Sequence, residues 1–519
     1  MKKMNGRRWL AAVLTAALTA GLPAVPAAAS DTAETLVIGS GQCAGTMNPV
    51  QAYDAWYAVR YGICQTLTKM NDDLTISGWL AEDGYSASED NTAWTFTIRD
   101  SVCFSNGTKL TAELVKASLE NVFENGTRGP EYFTPSSIEA DGQTLVIHTD
   151  KPEPILPNKL ADPLFCIIDT TVDNADIADV GPTGTGPFMM ESFDPVTKEC
   201  IVVRNENYWN GTAACDRIDF LYTEDQTVLT MGLQAGDYDA VYNVSMTDVP
   251  MFEADSAYTV VKNPSGRTAH GFMNQNGILG DKVLRQAILQ CLDREVYCQN
   301  LLNGQYVAGK TLVTSAADYG YDELTDPNAY DPAHAVQLLD EAGYADTDGD
   351  GFRETPDGDP IDLKFAYYTG RPEQQIMVEA TQAALAEVGI KITPDVHDTQ
   401  TVIDLLASGE FDLLCMSINV MNCADPENHL NTYFKTGGSY QAYGYDNEEF
   451  NALLDELSVT ADPADRREIV KKAEQILLDD AVCIFFCYPI MNFVMKENVS
   501  GVLSTPADYY WVDEHTEIR

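Results

Sequence analysis

The chain has no Cys-x-x-Cys pair, no His-Glu-x-x-His, no Gly-x-Ser-x-Gly and no phosphate-binding loop. Those absences exclude the zinc-ribbon and thioredoxin readings, metalloprotease and serine-hydrolase chemistry, and P-loop ATP hydrolysis. The 6 histidines are scattered, so no catalytic constellation gathers around them. Cations are scarce: 32 Lys and Arg stand against 79 Asp and Glu, a net charge of -47. A chain of that sign is no partner for nucleic acid. The carboxylates are spread along its whole length, so the charge describes the entire surface rather than a site for a cationic ligand. Beyond residue 29 no apolar run reaches the roughly 20 residues of a membrane span.

What is present begins with an export signal. Lys2, Lys3, Arg7 and Arg8 precede an apolar stretch from Trp9 to Val25, and Ala27, Ala28 and Ala29 follow. This is the order of a secretory leader, and Gly21, Pro23 and Pro26 break it short of a membrane helix. Residues 1–29 are expected to be cleaved after Ala29; the Arg7-Arg8 pair meets the twin-arginine pattern only in part. Taking the four leader cations from the 32 leaves 28 basic residues against 79 acidic ones, about -51. Ser30, not cysteine, follows the alanines, so no lipoprotein cysteine is evident and a periplasmic, extracellular or cell-surface location is expected.

At 519 residues and 45% hydrophobic, the chain can bury the cores of two or three domains. All 12 cysteines lie in the exported part, where an even count suggests disulfides. Their placement suggests buried thiols instead: Cys483 and Cys487 share a strand-like segment, Cys291 and Cys298 a predicted helix, and Cys103 and Cys166 apolar surroundings.

The most organised segment runs from Thr92 to Phe123. Trp94, Phe96 and Ile98 alternate with Thr95, Thr97 and Arg99, which predicts a half-buried strand. Ser105, Asn106 and Gly107 turn the chain; Thr111 is a candidate N-cap, and Val115, Leu119, Val122 and Phe123 line one helical face. WTFTIRD, VCFSNG and LTAELV in this run resemble the signature region of extracellular solute-binding family 5, whose members serve ABC importers of peptides and nickel. The resemblance continues in GTGPF at Gly184 to Phe188, RNENYWNG at Arg204 to Gly211, LQAGDYD at Leu233 to Asp239 and VLRQAILQCLDRE at Val283 to Glu295. RNENYWNG and SYQAYG lean toward the nickel-type branch.

The resemblance implies an α/β, two-lobed periplasmic-binding-protein-like fold of class II, cluster C type, with mixed β-sheets and a hinged interlobe cleft. The expected division is residues 30–270 plus 490–519 for lobe I, with an extra subdomain at about 65–185, and 271–489 for lobe II. The crossings are expected near Gly271 to Asn276 and Cys487 to Asn492. Within lobe II, LKFAYY, a helix from Glu373 to Glu387, IKITPDV, a short helix near Thr401 to Ala407, and FDLLCMS alternate, which predicts parallel pairing. Asp331-Pro332 and Asp462-Pro463 open further helices.

The implied function is capture of a short peptide or related small solute for delivery to an ABC permease by a monomeric, non-enzymatic receptor. A nickel or metallophore chelate as ligand and a ligand-presenting sensory receptor are the alternatives. GSGQCAG at Gly39 to Gly45 has the outline of a dinucleotide fingerprint, but Met47, Asn48 and Pro49 intervene where a helix must begin. Tyr53, Trp56, Tyr57 and Arg60 align with the family's early ligand-facing stretch, where they either wall the cleft or form core. Met421 and Asn422 begin the loop that approaches ligand from lobe II. Peptide-binding relatives place an aspartate for the ligand ammonium at the position of Asn422, and nickel-binding relatives a histidine at that of Glu427. Asp425 and Glu427 either attract a cationic group or start a helix; His429 either reaches a chelated metal or is core. DTDGDG is either a solvent-exposed turn or a structural calcium loop using Asp346, Asp348 and Asp350, with Asp357 at the closing twelfth position.

Overall fold

The computed structural model describes residues 35–519; the leader lies outside them. Its centre is the strand Cys483–Lys496, 14 residues buried almost throughout. The run CIFFCYPIMNFVM is apolar on both faces because both faces are covered. This strand serves two half-sheets. Its first part, Cys483 to Cys487, pairs antiparallel with Arg267–Met273, and its second part, Ile490 to Lys496, with Tyr258–Pro264.

On one side the 12-stranded sheet continues from Arg267–Met273 through Leu413–Asn419 and Asp362–Tyr368 to Lys391–His397. On the other it passes through Ala240–Tyr242, Thr35–Ser40, Arg217–Tyr222 and Cys200–Arg204 to Phe188–Phe193. Asp362–Tyr368 pairs parallel with both of its neighbours, as the strand and helix alternation predicts, and helix Pro372–Ala386 makes the crossover. Asp331 and Asp462 cap their helices through side-chain oxygens.

The change of half-sheet falls at Ser265 and Gly266, several residues before the expected Gly271 to Asn276. The Ser265 amide donates to the Pro489 carbonyl at 3.0 Å, opposite the break in the long strand. Residues 271–273 continue a regular strand that starts at Arg267. Gly266 is required here: a Cβ would lie 2.8 Å from the Met421 Cβ. The second crossing, near Tyr488 and Pro489, falls inside the expected window.

The strand-turn-helix run forms a smaller module. Ala93–Thr97 lies in a 4-stranded antiparallel sheet beside Ser86–Ala87 and Thr144–Thr149, with Pro135–Asp141 at the edge. Helix Ala112–Asn125 packs Val115, Leu119 and Val122 onto it. Thr111 occupies the N-cap position, but its hydroxyl bonds the Glu113 side chain rather than a helix amide. Ten of the 12 cysteines are buried, Cys166 among them, whereas Cys103 is only partly so. Among the described residues no helix is long and apolar enough to cross a membrane.

Candidate functional site

Helix Asp54–Arg60 stands where the two half-sheets meet. Asp54 accepts the Gly45 and Thr46 amides at 2.8 and 2.9 Å, fixing the irregular segment after the first strand. That segment opens no helix at its glycines, so the dinucleotide outline has no phosphate site. Arg60 is 1% exposed and ion-paired to Asp508 at 2.7 Å. Its guanidinium lies 5.2, 5.1 and 5.0 Å from the ring centres of Trp56, Tyr57 and Trp511. Asp508 also accepts from the Tyr242 hydroxyl and Trp511 Nε1. The Arg60 charge is therefore met internally, and its part is to hold the aromatic wall. Tyr57 is half-buried in that wall, and Trp56 turns a buried Nε1 without a partner toward the interior. Tyr53 is half exposed, with Arg128 stacked 4.0 Å from its ring centre.

From the other side comes the loop after strand Leu413–Asn419. Met421 is buried against Gly266. Asn422 donates to the Tyr132 hydroxyl at 3.3 Å, its carbonyl accepts from Tyr509 at 2.8 Å, and its Oδ1 is buried without a partner. Tyr132 and Tyr509 both donate to Asp162, a fully buried carboxylate.

The two acidic residues expected to face a cationic solute are committed elsewhere. Arg466 donates to both oxygens of Asp425, at 2.9 and 2.8 Å, and to Glu427 at 2.7 Å, and the Tyr319 hydroxyl adds a bond to Asp425. All three charges are buried. Two carboxylates sharing one internal cation form a structural knot that anchors the start of helix Glu427–Tyr433.

His429 is core. It stacks on Tyr433 with centroids 4.3 Å apart and lies 5.1 Å from His270. His270 donates Nδ1–H to the Thr268 carbonyl, and the Nε2 atoms of both rings are buried without partners. Among the described residues no metal-holding group includes a histidine. Burial pushes His270 down to about 4, and burial with His270 nearby pushes His429 well below the ordinary histidine range.

Sequence reasoning missed two arginines at this junction. Arg267 opens the strand that follows the half-sheet change; it is 8% exposed, and its Nε is buried without a partner. Its guanidinium lies 5.6 Å from the Trp56 ring centre, and the charge of Asp508 supports it. Burial, with the like charge of Arg371 next in weight, lowers its pKa from the ordinary arginine value. Arg371 is half-buried at the N-cap of helix Pro372–Ala386, and no described residue hydrogen-bonds or ion-pairs with its guanidinium. It lines a cavity of about 100 Å³ together with Gln42, Tyr242, Gln305, Glu373 and Asn492. Those residues come from both half-sheets and from the strand between them. The available signal was scarcity: in a chain so poor in cations, an arginine at a strand start and another before a helix-opening proline are conspicuous.

Away from the junction, Asp346, Asp348 and Asp350 gather with Glu354, their ligand oxygens within 4.8 Å of one another. Glu354, not the expected Asp357, is the fourth carboxylate, because the chain turns back through the Ala345 and Glu354 bridge.

The family model for bacterial extracellular solute-binding proteins, family 5 Middle, matches residues 75–441. The chain belongs to this family. The Staphylococcus aureus protein described as "Nickel-binding protein NikA" is 25% identical over 473 residues, covering 91% of this chain and 92% of that one. The Escherichia coli "Probable D,D-dipeptide-binding periplasmic protein DdpA" is 25% identical over 494 residues, with 91% and 92% covered. A crystal structure of the S. aureus NikA in complex with Ni(L-His)2 superposes with a TM-score of 0.79 at 24% identity, covering 94% of this chain and all of that one. This family 5 protein accordingly has the two-lobed fold, and it binds rather than transforms its solute.

Two tests address the groups reassigned here. Arg466→Met should lower stability by about 3–5 kcal/mol, because it leaves two buried carboxylates unpaired; chemical denaturation reads the loss, and a change under 1 kcal/mol would remove the knot from the account. His270 and His429 have folded pKa values below the unfolded value near 6.5, so the unfolded state binds more protons as pH falls. Stability should drop between pH 7 and 5 by about 2 kcal/mol per histidine, and a His270→Phe, His429→Phe double variant should lose that part of the slope. Equal slopes in the two proteins would show that neither ring resists protonation.

Proposed function

We propose that this family 5 protein is the extracytoplasmic receptor of an ABC importer and takes a small solute bearing a free carboxylate, a short peptide or an amino-acid-like compound. The observation that carries this reading is the pair Arg267 and Arg371. Removing a guanidinium from water is costly unless an anion meets it, and Asp508, the carboxylate nearest Arg267, is already bound to Arg60. A carboxylate from solution, held by two arginines, supplies what the fold withholds. The cavity is small beside the 300–1,000 Å³ typical of drug-sized ligands, which suits the charged end of a ligand rather than the whole of a long one. The receptor acts as a monomer and presents its closed form to a membrane permease.

A nickel or metallophore chelate is the second reading, favoured by the likeness to nickel-binding proteins. With His429 and His270 turned into the core, a chelate would have to bring its own metal ligands and offer the arginines its carboxylates. The Asp346, Asp348, Asp350 and Glu354 cluster is proposed, separately, as a structural calcium site. Calcium should raise the melting temperature of the purified protein and lose that effect in Asp348→Asn; an unchanged melting temperature would discard it.

Thermal shift and calorimetry with short peptides, their C-terminal amides, and histidine with and without Ni²⁺ test the carboxylate reading. Arg371→Gln should weaken binding at least tenfold, the usual scale for losing one partner of a buried charge pair. Arg267→Met should weaken binding comparably while leaving the ligand-free protein as stable or more so, since it removes an unpaired internal charge. Amides that bind as well as free acids would refute the reading.

A further inference from the structure

The cavity wall carries a second feature that the carboxylate reading does not use. Glu373 is 1% exposed and Gln305 5% exposed, and both line the cavity with Arg371. Glu373 Oε2 accepts the Tyr306 hydroxyl at 3.0 Å, but its Oε1 is buried with no partner. Gln305 Nε2 reaches the Asn303 carbonyl at 3.4 Å, and its Oε1 is likewise buried with no partner. Glu373 stands two residues after Arg371, yet no ion pair joins them. The two opposite charges feel one another without touching, so both remain open on one wall, where they complement a molecule that carries both signs. Unpartnered acceptors in a desolvated wall cost roughly 1–3 kcal/mol each, and an N–H donor recovers it.

We infer that Glu373 and Gln305 form the subsite for a primary ammonium group, so that the cleft selects a zwitterion with its amine close to its carboxylate. This rests on the carboxylate reading above. Asp425 and Glu427 cannot serve, because Arg466 holds both. Asp162, the other buried carboxylate near Asn422, has both oxygens engaged by Tyr132, Tyr509 and the Leu164 amide.

The test uses the mature protein and three probes, the dipeptide Ala-His, free histidine, and histidine with Ni²⁺, each against its N-acetyl counterpart, with affinity read by calorimetry. Wild type should prefer the free-amine form of at least one probe by tenfold or more. Glu373→Gln, which keeps the shape and the Tyr306 contact, should remove most of that preference while leaving N-acetyl affinity within about twofold. Gln305→Met should narrow the preference by a smaller factor, and circular dichroism melting should show both variants folded. A preference that survives Glu373→Gln, or a wild type indifferent to acetylation, overturns the ammonium assignment. If Arg371→Gln meanwhile weakens free and acetylated forms alike, the carboxylate reading stands without it. A wild type that binds none of the probes overturns both.

Discussion

A guanidinium taken out of water has to be met by an anion, by acceptors or by aromatic faces, and the inner arginines of this chain divide according to how that is done. Arg60 is met in full by Asp508 and three rings, and Arg466 by Asp425 and Glu427. Both hold the architecture: the first locks the aromatic wall to the C-terminal segment, the second fixes the loop that carries Asn422. Arg267 is met by a ring face and by the charge of Asp508, which Arg60 already holds, and its Nε has no partner. Folding of the rest has to outweigh that unpaired charge, and a site that stores such a cost is one where a ligand can recover it.

The geometry that allows this comes from the strand Cys483–Lys496. Because one strand belongs to both half-sheets, the cavity beside it is lined from each of them. Gln42 and Tyr242 stand on one side, Gln305, Arg371 and Glu373 on the other, and Asn492 on the strand between. A ligand bridging the walls favours whichever lobe arrangement brings both sets to it, and that differential contact is what shifts the population toward closure.

Much of this could be read in the sequence. The alternation around Trp94 and Phe96, the capped helices at Asp331 and Asp462, and the parallel order of the second lobe all follow from local rules, because period and punctuation are properties of neighbouring residues. The roles of the charged residues were not local. Nothing near Asp425 announces Arg466, 41 positions on, and an acid-proline pair reads the same whether it faces solvent, ligand or an internal cation. His429 could be a ligand or core until its neighbours His270 and Tyr433 were in place. Arg267 and Arg371 were invisible for the converse reason: their meaning lies in the partners they lack, and a missing partner is visible only in three dimensions.

The acidity of the chain and the cationic cleft place opposite demands on a solute. At a net charge of -47 the exterior repels anions over about a Debye length, roughly 8 Å at physiological salt, and slows their approach. A ligand of net negative charge would gain at Arg267 and Arg371 only after crossing that field. A zwitterion crosses it at little cost, because its net charge is near zero, and separates its charges only against the cavity wall. There Arg371 and Glu373 meet them in a medium where each contact is stronger than in water. An acidic surface over a cleft that carries both signs thus favours small solutes that are neutral overall and strongly polar at one end.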